Sequence, residues 1–164
     1  MYNEDIFQRP IRRMLPQFVL LLSEPSKAVR NSVIHLLGLM DPGDLTWAVD
    51  LCHDSIIHQL RSPDVRTRIG SVHILTELAG TNKLSHMIQA FIPDVLSCIN
   101  TSDEEQRLSV IHIFQELLKH EIFYPIVDQS LAQIILLLAD DDWNVQNEIV
   151  DFLSSMAIEG CCSV

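Results

Sequence analysis

A twelve-residue motif returns four times at nearly constant spacing, and this limits the fold more than any other property of the chain. The copies begin at Val29, Thr67, Gln106 and Val145, which gives periods of 38, 39 and 39 residues. Their seventh positions hold His35, His73, His112 and Asp151. The fifth, eighth, ninth and twelfth positions are apolar or small in every copy. They read Val33, Leu36, Leu37 and Met40 in the first and Ser71, Ile74, Leu75 and Leu78 in the second. Steps of three and four put such residues on one face of a helix. A period near 39 with one such helix per copy is the mark of an all-α stacked array.

Another apolar helix is expected upstream of each copy, over 16–22, 45–60, 84–99 and 122–139. Short polar turns separate the two helices of each pair. Ser26, Asp64, Asp103 and Asp142 fall at one equivalent position in those turns, three residues before each copy. Their side-chain oxygens can accept from the free amides that open the second helix, so all four are expected to cap. Asp41, Pro42, Gly43 and Asp44 punctuate the first junction, with Asp44 expected to cap the next helix. Gly80, Thr81 and Asn82 mark the second junction, and His120 with Glu121 marks the third less clearly. No linker is long enough to divide 1–164, so one domain is expected, with units at 14–41, 44–80, 82–119 and 121–158 and a tail at 159–164. Whether residues 1–13 add a helix is left open by the sequence.

Composition narrows the class. Hydrophobic residues make up 48% and charged residues 20%, which suits a globular core. Eleven basic against 22 acidic residues give a net charge of −11, which disfavours phosphate backbones and anionic lipid. Nucleic acid is therefore not an expected partner. Arg9, Arg12 and Arg13 form the one basic concentration and read as a solvated helix end. Residues 1–10 carry Glu4 and Asp5 and lack an apolar run, so no secretory leader is expected. The longest uncharged apolar runs, 18–22 and 134–139, fall far short of a bilayer's thickness. Cysteines at 52, 98, 161 and 162 show neither metal spacing nor a disulfide framework. A cytoplasmic or nuclear setting with reduced thiols is expected.

With these residues in place, the chain resembles the HEAT-repeat family over roughly 14–158. The family's unit carries an Asp, two arbitrary residues, Val-Arg, and then apolar positions along the second helix. Here the pattern reads Asp64 with Thr67 and Arg68, Asp103 with Gln106 and Arg107, Asp142 with Val145 and Gln146, and Ser26 with Val29 and Arg30. Ser26 departs from the pattern at one end and Gln146 at the other, as ladders do in terminal units. Armadillo repeats are the near alternative. The resemblance implies a right-handed α-solenoid of about four HEAT-like helical hairpins. It also implies a ladder in which Arg30, Arg68 and Arg107 pair with Asp64, Asp103 and Asp142.

In such an array the second helices line a concave face. With the buried positions assigned, the opposite stripe runs through Asn31 and His35, His73 and Thr76, His112 and Gln115, and Asn147 and Asp151. The stripe reads either as ordinary solvated surface copied by duplication or as a recognition ridge sensitive to pH. A shared metal fails on distance: helices pack about 8–10 Å apart, whereas zinc ligands sit about 2 Å from the ion. No metal and no cofactor are expected.

The leading expectation is a non-catalytic scaffold that holds a neutral or basic peptide or helix on an acidic concave surface. Enzyme chemistry finds little footing: there is no phosphate loop and no nucleophile elbow. A HEAT-like metal-dependent hydroxylase or lyase is the enzyme alternative, resting on the single His120-Glu121 pair. His53 and His58, five residues apart, read as surface residues. Trp47 and Trp143 are expected to pack at helix starts, with contact-anchor use as the other reading of Trp143. Cys161 and Cys162 outline a lipidation site, which would make a prenyl-anchored adaptor and the one route to a membrane. Both ends of the array are less polar than caps should be, which points to self-association through an end or to a larger scaffold.

Overall fold

The computed structural model describes residues 5–81 and 85–158. Among these no strand occurs, and the helical content is 87%. Eight α-helices follow one another: α1 Asp5–Leu20, α2 Lys27–Gly38, α3 Pro42–Leu60, α4 Val65–Gly80, α5 Ile88–Ser97, α6 Glu104–Leu118, α7 Tyr124–Ile134 and α8 Trp143–Ile158. Short 3₁₀ segments extend the odd-numbered helices at Leu21–Ser23, Ser85–Met87, Cys98–Asn100, Glu121–Phe123 and Ile135–Ala139. Among the described residues no separate helix precedes the first unit, because residues 5–13 belong to α1.

Contacts sort the helices into two rows. In one, α1 packs on α3, α3 on α5 and α5 on α7; in the other, α4 packs on α6 and α6 on α8. The first unit departs from this plan. Its contact with α4 comes chiefly through the 3₁₀ turn Leu21–Ser23 rather than through α2. Gly70 of α4 makes the close approach possible, since a Cβ there would stand 3.0 Å from the Ser23 Cβ.

The face spaced by threes and fours is the buried one. Ser71, Ile74, Leu75 and Leu78 are all buried, as are Val110, Ile113, Phe114 and Leu117 in the third copy. Phe91, Phe114, Phe123 and Phe152 fill the later units, while aliphatic side chains such as Leu15, Leu37, Ile56 and Leu75 fill the earlier ones. Each such side chain contributes about 1.5–3 kcal/mol on leaving water.

Capping follows three of the four expected positions. Asp64 accepts from the Thr67 amide at 2.9 Å and from its hydroxyl at 2.7 Å. Asp103 accepts from Glu105 and Gln106, and Asp142 from Asn144 and Val145. Ser26 sits at the N-cap of α2 without a side-chain bond. At the first junction Asp41, not Asp44, caps α3, accepting from the Gly43 amide at 2.8 Å beside Pro42 in the first turn. The chain turns into the helix at Asp41, which leaves Asp44 inside the first turn to take the Arg12 guanidinium at 2.8 Å.

Candidate functional site

One hydrogen bond recurs in all four units. The second residue of each copy reaches back six residues to a backbone carbonyl in the preceding turn. Arg30 Nη1 donates to the Glu24 carbonyl at 2.9 Å, Arg68 Nη1 to Ser62 at 2.6 Å and Arg107 Nη1 to Thr101 at 2.8 Å. Gln146 Nε2 does the same to Asp140 at 2.6 Å. The departure from arginine in the last copy therefore keeps the clamp that holds turn to helix. Sequence reading missed this bond, although the constant spacing of six was its signal, because a backbone acceptor leaves no side-chain signature.

The same arginines tie units together. Arg68, almost wholly buried, donates from Nη1 to Asp103 Oδ2 at 3.3 Å. Arg107 Nη2 donates to Asp140 Oδ1 at 2.9 Å, and its Nε lies 2.7 Å from the other oxygen, off the axis of a good hydrogen bond. Asp142, the expected partner, spends its carboxylate on the cap. Arg30 turns to Glu77 at 2.9 Å rather than to Asp64, whose carboxylate Thr67 already occupies. The Thr67 hydroxyl and amide hold Asp64 below the usual carboxylate range.

The second helices α4, α6 and α8 enclose a groove of about 560 Å³. His73 and Thr76 of α4, His112 and Gln115 of α6, and Ser155 of α8 line it, with Val72 and Leu118 as apolar wall. Gln115 Nε2 donates to Glu148 Oε2 at 3.1 Å, and His112 Nε2 stands 3.9 Å from the same oxygen. Lys119 pairs with Glu116 at the rim. Four of the eight stripe residues thus come together. Asn31 and His35 lie exposed on α2, and Asn147 and Asp151 lie exposed on α8, none of them lining the groove.

His73 is the residue that differs most from expectation. It is half-buried rather than part of an exposed ridge. Its Nδ1 is shut away from solvent without an aligned partner, although the Ser23 backbone lies beside the ring. Burial, assisted by the Arg30 charge, holds its pKa below 6.5 against the opposing pull of Glu77.

A larger hollow of about 680 Å³ opens at the turn edge of the third and fourth units. Its polar groups are engaged: Arg107 with Asp140, Glu104 with the Asn144 amide side chain at 2.9 Å, and Asp142 in its cap. The groove at His112 is engaged in a similar way: besides the Gln115–Glu148 and Lys119–Glu116 pairs, Thr76 donates to the His73 carbonyl at 3.1 Å and Ser155 to the Asp151 carbonyl at 2.9 Å.

Two further residues, His53 and Trp143, depart from the sequence reading. His53 is not a plain surface residue: it stacks on Phe91 with ring centroids 4.4 Å apart and approaches Asp94 at 3.3 Å, joining α3 to α5. Trp143 does not pack into a helix start but stands 71% exposed. Trp47 is covered by Arg12, 5.2 Å above its ring. Buried Cys52 and Cys98 are free thiols, and burial pushes Cys52 up to about 11. Cys161 and Cys162 lie outside the described residues.

Glu121–Ala139 forms one helical stretch of 19 residues whose mean hydropathy of 1.6 would suit a bilayer by length and composition. Sequence runs alone concealed it, since Asp128 interrupts the apolar pattern. Phe123, Val127, Ile134 and Leu137 of this stretch are buried in the core, while its outer side chains face outward. Charge is also uneven along the chain. Residues 1–82 hold eight basic and nine acidic side chains, whereas 83–164 hold three and thirteen.

No protein-family model matches this chain, and no curated protein matches it either.

Proposed function

We propose that the chain is a non-catalytic, HEAT-like scaffold inside the cell whose groove between α4, α6 and α8 holds a neutral or basic helical segment of a protein partner. The two rows of helices and the repeated turn clamp support reading the array as an α-solenoid. The observation that carries the binding reading is the groove itself: it brings His73, Thr76, His112 and Gln115 from adjacent helices around one space of about 560 Å³. Two of its three helices, α6 and α8, belong to the acidic half of the chain, which favours a cationic partner through steering more than through contact energy. Amphipathic helices docked in apolar-walled grooves are a common recognition mode.

Selection from a displayed library of helical peptides tests the reading. Selected peptides should be enriched in Lys and Arg, and binding should fall at least about tenfold, roughly 1.4 kcal/mol, on Thr76→Arg with Gln115→Ala. Circular dichroism establishes that the variant keeps its helices. Selected peptides that bind the folded variant as well as the intact chain would remove the groove from the account.

A further inference from the structure

The repeat lets each exposed apolar residue at the ends be compared with its counterpart inside the array. Shifting by 39 residues relates Leu96 to Ile135, Ile99 to Leu138 and Ile111 to Val150. The three residues of the third unit are buried. Their counterparts in the fourth are 42%, 41% and 50% exposed. What separates the two sets is that, among the described residues, a unit follows the third and none follows the fourth. The rear face of the fourth unit is therefore a unit-stacking face left open.

The front face of the first unit shows the same relation in reverse. Shifting by 38 residues relates Ile11 to Val49 and Met14 to Cys52. Val49 and Cys52 are buried, and the Cys52 thiol donates to the Pro16 carbonyl of α1 at 3.3 Å, so this position faces the preceding unit. Ile11 and Met14, which no unit precedes among the described residues, are 41% and 46% exposed. The described array thus presents the two halves of its own internal interface, one at each end.

We propose that the chain associates head to tail with further copies of itself, the front face at Ile11 and Met14 stacking on the rear face at Ile135, Leu138 and Val150. The contact continues the stacking already present between consecutive units, and stacks of this kind bury a continuous core. Charge disfavours the rear-to-rear alternative. Joining rear to front sets the strongly acidic half against the nearly balanced half that carries Arg12 and Arg13, whereas rear to rear would set two acidic halves together. A contact between unlike faces leaves a free face on each end of a dimer, so it propagates into open chains or larger rings.

Sedimentation equilibrium of the full chain, from micromolar to near-millimolar concentration, tests this with two variants. One blocks the front by Met14→Glu and the other blocks the rear by Leu138→Glu with Val150→Glu. All positions are exposed, and circular dichroism checks each variant; a serine at the same position replaces any glutamate that unfolds the protein. The average mass of the intact chain should climb with concentration. Each variant alone should stay monomeric, and the two mixed should form a dimer of one copy each and stop there. A monomer at every concentration for the intact chain overturns the proposal, as does a mixture that stays monomeric. A front-blocked variant that still dimerises alone overturns it in favour of rear-to-rear contact.

Discussion

Arg107 pairs with Asp140, not with Asp142 two residues later, although Asp142 occupies the position held by Asp103 in the preceding unit. Two demands compete for the carboxylates of this turn. The amides that open α8 take Asp142, and the inward-facing Asp140 is left for the guanidinium. Replacing Asp140 by Asn should cost about 2–4 kcal/mol, because a largely buried guanidinium loses its counter-charge. Replacing Asp142 by Ala should cost about 1 kcal/mol, the value of a cap. Urea unfolding of both variants checks the order, and a costlier Asp142→Ala would contradict the pairing.

Glutamine at position 146 suggests a graded test on the buried arginine of the second unit. Arg68→Gln should retain a bond to the Ser62 carbonyl, as Gln146 does to Asp140, and lose only Asp103. Arg68→Ala loses both bonds and opens a void. The glutamine variant should therefore lose about 1–2 kcal/mol and the alanine variant about 3–4 kcal/mol. Equal losses in denaturant would show that the carbonyl clamp contributes nothing.

Two helical glycines should respond to alanine with opposite signs. At Gly70 the new methyl would stand 3.0 Å from the Ser23 Cβ and 3.4 Å from its carbonyl oxygen. Crowding of that kind costs about 1–3 kcal/mol and outweighs a helix-propensity gain of about 1 kcal/mol. At Gly38 nothing lies within 4 Å of the added carbon. Gly38→Ala should raise stability by about 0.5–1 kcal/mol. Melting temperatures measure both, and stabilisation by Gly70→Ala would show that the turn at Leu21–Ser23 yields readily.

His73 should make the fold sensitive to mild acid. Burial lowers its folded pKa below 6.5, so the unfolded chain binds the proton first as pH falls. The stability held by the neutral ring is complete above about pH 6.5 and is lost as pH drops through the lowered folded value. Denaturant midpoints between pH 7.5 and 5 should fall less in a His73→Gln variant than in the intact chain. Parallel curves for the two proteins would contradict this assignment.

The helical periodicity, the turn positions and the buried stripe could be read from residues because each leaves a side-chain signature at fixed spacing. Val33 and Leu37, Ile74 and Leu75, and Val110 and Phe114 show the apolar spacing and the burial together. Relations that depend on how helices approach one another were not legible in the same way. Arg30 meets Glu77 because the first unit meets α4 through its 3₁₀ turn, an offset that no residue announces. His53 looked solvated until α5 brought Phe91 against it. The stripe of helix positions coincides with the groove lining on α4 and α6. It could not show that α2 lies outside the enclosure, or that Ser155 rather than Asp151 completes the wall.

The central claim is that the groove between α4, α6 and α8 receives a helical partner. Backbone amide chemical shifts of the labelled chain, recorded while a selected basic helical peptide is added, test it most directly. The account predicts that the largest changes fall at Val72, His73 and Thr76 and at His112, Gln115 and Lys119, with Asp50 and Asp54 on α3 unmoved. Changes centred on α3, or on Ile135, Leu138 and Val150 at the rear face while the groove stays silent, would contradict it.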